Sequence, residues 1–288
     1  MSGSSRELKR GFAWPVAFED RRERLIRSLD QRAAERMATY GPRARPVVLL
    51  ADRFWSAIFD LRRSWRERAN ADLAAATSVD ACIDAVGRVL SLNQKRGEII
   101  AFLEWTRGIT PHRLCEIGVE SGGTHLLFKR ALPQIELTIG IDLYVRQKHQ
   151  LRTFTPPGQE SVLIDGSSYN PQTFARVAEA LGGRSLDVLF IDGDHSFAGA
   201  AQDFQLYRQL VRRGGIIAFH DIVEDSFLRS GRRTRTYVGE VPELWRQIRA
   251  QYGEHREFVD SWTQDGYGIG AIVYDPDVAV QLQPPAAR

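Results

Sequence analysis

The chain has 288 residues, 43% hydrophobic and 26% charged, a globular composition too long for one minimal domain and fitting one sizeable domain with an appendage. Its apolar stretches, such as residues 47–51 and 188–191, fall far short of the ~20 residues of a membrane-spanning helix, so no span is expected. Net charge is +3, but residues 1–70 carry 16 Lys/Arg against 9 Asp/Glu, so the remainder is acidic by 4. Arginine replaces lysine almost throughout, 35 against 4, and acids are interspersed among the arginines, which argues against a nucleic-acid partner. Two cysteines, Cys82 and Cys115, cannot build a disulfide framework, and residues 1–13 lack the order of a signal peptide. A cytoplasmic location is the expectation.

In chain order, Phe18, Leu25, Ile26, Leu29, Ala33 and Met37 recur at helical spacing and predict an amphipathic helix. Residues 41–46, with two prolines, break it, and a second helical run follows through Phe54, Trp55, Ile58, Phe59, Leu61 and Trp65. Further helices are expected over residues 79–90 and 94–107. Residues 1–91 are thus an all-helical cap or oligomerisation region, a candidate surface for homo-oligomer formation.

Beyond Thr110-Pro111 short apolar runs alternate with helical ones, the pattern of βαβ units and a mostly parallel sheet. Strands are expected at 113–118, 136–142, 161–165, 186–192 and 215–220, and helices at 123–131, 171–181 and 198–212, the last stopped by Gly214-Gly215. A helix over 241–252 precedes two strand-like runs, 257–262 and 268–274, which read as an antiparallel hairpin around Asp265-Gly266. The expected fold is α/β, a Rossmann-like doubly wound sheet of seven strands with an antiparallel C-terminal hairpin. It spans residues 92–277, with a flexible tail over 278–288.

Ligands of such sheets sit at the carboxyl ends of the strands. The first strand runs into Glu116, Gly118, Ser121, Gly122, Gly123 and Thr124, where glycines permit a tight turn and a helix N-terminus offers free N–H groups. The second ends in Asp142, an acid suited to the two hydroxyls of a ribose. The glycine spacing is Gly-x-x-x-Gly-Gly, which does not spell a pyrophosphate cradle. Glu116 would repel a pyrophosphate but could hold an ammonium, and Asp165-Gly166 end the third strand with polar groups suited to an adenine edge. These features fit an S-adenosylmethionine site better than a nicotinamide site.

The fourth strand ends in Asp192, with His195 three residues on, and the neighbouring fifth in His220-Asp221. Asp192, His220 and Asp221 together offer two carboxylates and an imidazole to a divalent cation. The oxygens favour Mg²⁺, and the histidine leaves Mn²⁺, Fe²⁺ or Zn²⁺ open. His195 is placed to accept a proton. From Leu92 to Tyr274 the chain resembles the metal-dependent class I O-methyltransferases, most closely the branch grouped with cephalosporin hydroxylase-like and macrocin O-methyltransferase-like proteins. The matching segments are 116–124, 140–142, 190–195, 214–221 and 241–245.

The resemblance implies Asp192 as a metal aspartate in contact with the donor, and His220-Asp221 in place of an acidic metal pair. It places His195 where the caffeoyl-CoA branch has a lysine that assists deprotonation. The expected activity is S-adenosylmethionine-dependent, Mg²⁺-assisted methylation of a hydroxyl on a small-molecule acceptor. A metal-dependent hydroxylase or hydrolase, or a non-catalytic adenosyl-binding scaffold, are the alternatives. The arginines at 229, 232, 233 and 235 read either as a lid that recognises an acidic substrate group or as an exposed loop.

Overall fold

The computed structural model describes residues 45–285 other than Arg233 and Arg235; the amphipathic helix expected at 18–37 lies outside them. Among the described residues four helices come first: α1 (Arg45–Leu61), α2 (Arg63–Ala75), α3 (Val79–Gly87) and α4 (Arg96–Arg107). The single run expected through Trp65 is interrupted at Arg62, whose φ of −92° and ψ of 44° are not helical. Ser78 starts α3 by accepting the Ala81 N–H at 3.1 Å, one of the amides that a helix start leaves unpaired.

The sheet contains β1 (Arg113–Ile117), β2 (Leu137–Asp142), β3 (Glu160–Asp165), β4 (Leu186–Ile191), β5 (Val211–His220), β6 (His255–Phe258) and β7 (Ile269–Val273), in the spatial order β3-β2-β1-β4-β5-β7-β6. The first five are parallel, and β7 lies antiparallel between β5 and β6. This is the expected seven-stranded, doubly wound arrangement. The helices between strands are α5 (Gly123–Ala131), α6 (Lys148–Phe154), α7 (Pro171–Leu181), α8 (Phe197–Tyr207), α9 (Ser226–Ser230) and α10 (Val241–Arg249).

Three expectations need correction. The helix expected at 198–212 ends at Tyr207, and the chain from Val211 is already strand, Val211 pairing with Leu186. Gly214-Gly215 therefore does not stop a helix; it sits in an irregularity of β5, Gly214 at φ +72° and Gly215 so close to Asp187 that a Cβ would approach its carbonyl oxygen to 2.9 Å. The second run of the hairpin is strand, but the first ends at Phe258, and the connection around Asp265-Gly266 is a ten-residue loop instead of a tight turn. Residues beyond Asp277 also continue along the protein surface: Val278, Val280 and Leu282 pack on the core, and Gln281 and Gln283 bond to Gln251 and Gln247 on and just after α10.

Side chains alternate across a strand, so each inner strand feeds both faces. Val188 and Phe190 of β4 join Ile216 and Ala218 of β5 on one face, while Leu189, Ile191, Ile217 and Phe219 join the other. The first face is covered by α1 to α6, with Phe102 of α4 wedged between Phe128, Phe190 and Phe258 at centroid separations of 5.7–6.4 Å. The second face is covered by α7, α8 and α10. The N-terminal helices are thus one layer of the fold. Both thiols, Cys82 and Cys115, are free and buried.

Candidate functional site

The strand order changes direction between β1 and β4, and a cavity of about 620 Å³ opens at the carboxyl ends there. Its donor-side wall starts at Gly118, with φ +92° and a backbone pressed so closely on the Asp192 carbonyl that no side chain fits. Glu120 follows at φ +47°, and its N–H donates to Asp142 Oδ2 at 2.8 Å, while Asp142 Oδ1 accepts the Tyr144 N–H at 3.1 Å. Burial pushes the Asp142 carboxyl above its ordinary value, against the pull of these two amides. Gly123 opens α5 hard against the Ser91 carbonyl, so the segment before α4 closes one side of the cavity.

The donor residues divide by position. Gly118, Ser121, Thr124, Asp142, Gly166 and Asp192 line the cavity. Glu116, Gly122 and Asp165 do not. Glu116 is 1% exposed, and its Oε2 lies 2.9 Å from Nδ1 of the wholly buried His125. Burial raises its carboxyl well above the ordinary range, reinforced by Asp192 and Asp142. A Cβ on Gly122 would meet Leu151, and Asp165 is held by the Val145 N–H and the Lys148 ammonium. Ser91, Asn93, Leu143, Tyr169, Asp194 and Tyr237 also line the cavity. The fold brings these six in from five separate loops, and of them only Asp194 falls in a segment that the sequence singled out.

In the same cavity the acid and histidine groups converge. One ligand atom each from Asp192, His195 and Asp221 lie within 4.8 Å of one another. His195 Nε2 is 3.6 Å from Asp192 Oδ1, and its Nδ1 donates to the Tyr237 carbonyl at 2.6 Å, with the Tyr237 ring stacked on the imidazole at 5.9 Å. That bond fixes the ring and leaves Nε2 as the chemically available nitrogen. His220 is 4% exposed, with Nδ1 3.1 Å from Asp192 Oδ1 and 3.7 Å from Asp221 Oδ2, and Nε2 without a partner among the described residues. Both imidazoles thus converge on the Asp192–Asp221 pair, His195 at 3.6 and 3.8 Å, where the sequence pointed to His220 alone as a ligand.

Burial disfavours a charged imidazole at His220, yet Asp192 and Asp221 push its pKa up to about 9. Burial likewise opposes charge on Asp192, but His220 and His195 hold its carboxyl well below the ordinary range. Two ionised carboxylates in one cluster match a divalent cation in charge and in oxygen ligands, and a bound cation would replace the imidazoliums as their counter-charge, leaving His195 a neutral base. Asp221 itself sits at φ +62°, an uncommon conformation for a residue with a side chain.

Arg229, one of the loop arginines, is already committed: its Nη1 donates to the Glu224 and Gln264 carbonyls at 2.8 and 2.7 Å. It ties α9 to the loop before β7. A lid reading of the arginine stretch does not extend to it, and Arg233 and Arg235 lie outside the described residues.

Residues 115–222 match a family model described as a methyltransferase domain. An uncharacterized protein, R132, of Acanthamoeba polyphaga mimivirus is 34% identical over 112 residues, 37% of this chain and 49% of that one; the chain spans about half the length of that relative. Among solved structures, cofactor-bound Rv0187 from MTB is 17% identical over 72% of this chain and 89% of its own, with a TM-score of 0.46. An O-methyltransferase from Bacillus cereus in complex with SAH is 15% identical over 78% and 97%, with a TM-score of 0.47. The match to the methyltransferase model runs from the first strand, at Cys115, to just past the His220-Asp221 pair, at Ile222.

Proposed function

We propose that the protein transfers the methyl group of S-adenosylmethionine to a hydroxyl of a small-molecule acceptor, at a divalent cation held by Asp192 and Asp221. One observation carries the reading: a single cavity, of a size ordinary for small ligands, is lined by Gly118 and Asp142 and also by Asp192, His195 and Asp221. Donor, cation and acceptor hydroxyl then fit within one enclosure, and proximity supplies much of the rate.

When bound, the donor supplies an electrophilic methyl group, and the cation supplies positive charge that makes a neighbouring hydroxyl more acidic. Asp142 orients the donor: each carboxylate oxygen takes one backbone N–H and keeps a lone pair for a ribose hydroxyl. Gly118 allows the donor to lie against bare backbone. His195, its Nδ1 engaged by Tyr237, accepts the hydroxyl proton at Nε2. His220 braces Asp192 from beneath through Nδ1.

Calorimetry with S-adenosylhomocysteine, with and without Mg²⁺, tests this. Binding is expected, weakened roughly tenfold or more in Asp142→Asn, a loss of the size that one charge-assisted hydrogen bond contributes. His195→Gln should keep Mg²⁺ affinity and lose methyl transfer; a matching loss of Mg²⁺ affinity would make His195 a ligand instead of a proton acceptor. Binding of NAD⁺ in place of the adenosyl ligand would defeat the whole reading.

A further inference from the structure

Three buried polar residues at the start of α4 take no part in the proposed chemistry: Gln94, Lys95 and Glu98 are 1%, 7% and 2% exposed. Burying a carboxylate is costly unless strong donors surround it. Glu98 has three. Its Oε1 accepts the Gln264 amide at 2.5 Å and the Asp260 N–H at 3.3 Å, and its Oε2 accepts the Gly268 N–H at 2.9 Å. Lys95 completes the set by donating to Gln264 Oε1 at 2.9 Å, its ammonium 5.6 Å from the centre of the Tyr267 ring. All these partners belong to the loop between β6 and β7.

That loop reaches the site through one residue. Tyr267, adjacent to Gly268, stands at φ +67°, and its N–H donates to Asp221 Oδ1 at 2.8 Å, while its carbonyl accepts the Val223 N–H at 2.9 Å. Tyr267 and Asp221 therefore face each other, both in a conformation that persists only where surroundings over-determine it. On the opposite side of the same helix start, Gln94 Nε2 lies 3.5 Å from Asp192 Oδ2, and Gln94 Oε1 is buried with no partner among the described residues.

We propose that Gln94 and Glu98 are positioning residues that set the separation of Asp192 and Asp221: Gln94 acts directly on Asp192, and Glu98 acts on Asp221 through the Gly268 and Tyr267 amides. The proposal rests on the reading that these two aspartates hold a divalent cation. Both residues precede the matched residues, so the cation pair would be positioned from outside them, by α4 and the segment leading into it. Groups that orient ligating carboxylates commonly change metal affinity about tenfold to a hundredfold when removed.

The test is Mn²⁺ binding to the full chain, read by the loss of the free-ion electron paramagnetic resonance signal, alongside S-adenosylhomocysteine affinity measured without metal. Glu98→Gln and Gln94→Met should each weaken Mn²⁺ about tenfold or more while leaving the adenosyl affinity unchanged. Equal losses of both affinities would mark a general structural role and overturn the proposal. So would unchanged Mn²⁺ affinity in either folded variant. Should Glu98→Gln fail to fold, Gln94→Met decides alone. If the unaltered protein binds the adenosyl ligand but no Mn²⁺, the metal reading fails, and this proposal with it.

Discussion

Lys129 shows what one buried charge costs this fold. It is 1% exposed on α5, its ammonium donates to Thr155 Oγ1 at 2.8 Å, and burial, helped by Arg130, pulls its pKa down to about 7. An unfolded lysine titrates near ~10.4, so between the two values the unfolded chain binds the extra proton. Stability from this group is therefore full above the unfolded pKa and is lost as pH falls toward about 7. Lys129→Met should remove a slope of at most about 1.4 kcal/mol per pH unit over that window. Urea unfolding at neutral and at alkaline pH measures it, and an unchanged slope would refute the buried-ammonium account. At the same scale, Gly118, Asp142, Asp192 and Asp221 are legible in the sequence because a strand end follows from local pattern. Tyr169, Tyr237, Ser91 and Asn93 are not, because their presence at the cavity depends on how distant loops settle.

Elements were legible where amphipathic period and boundary residues agree, as in α5 and α7, whose limits match the expected ones. They were not where a local pattern competes with strand pairing. Phe204, Tyr207 and Val211 keep helical spacing past the true end of α8, and only pairing with β4 turns residue 211 onward into strand. Packing between elements can be tested at Phe102, which is fully buried against three aromatic rings from α5, β4 and β6. Phe102→Ala should cost about 3–5 kcal/mol, the usual loss for deleting a large core ring. A thermal-melt shift of under a degree would mean that α4 is not integral to the sheet layer.

For the whole molecule, the sequence suggested a helical front end separate from the chemistry, and the division is less clean than that. Helices α1 to α4 cover one face of the sheet, and the segment leading into α4 also forms part of the cavity wall. A chain begun at residue 110 would lose Phe102 and leave Phe128, Phe190 and Phe258, the rings that it packs against, without that cover. Such a truncation should lose its cooperative melting transition; a sharp transition near that of the full chain would show the helices to be dispensable. The buried thiols have a practical consequence. Cys82 and Cys115 are the chain's two cysteines and both lie inside, so Leu143→Cys, on the exposed rim of the cavity, creates a single reactive handle. A dye attached there would report ligand entry directly, with no other cysteine needing to be removed first.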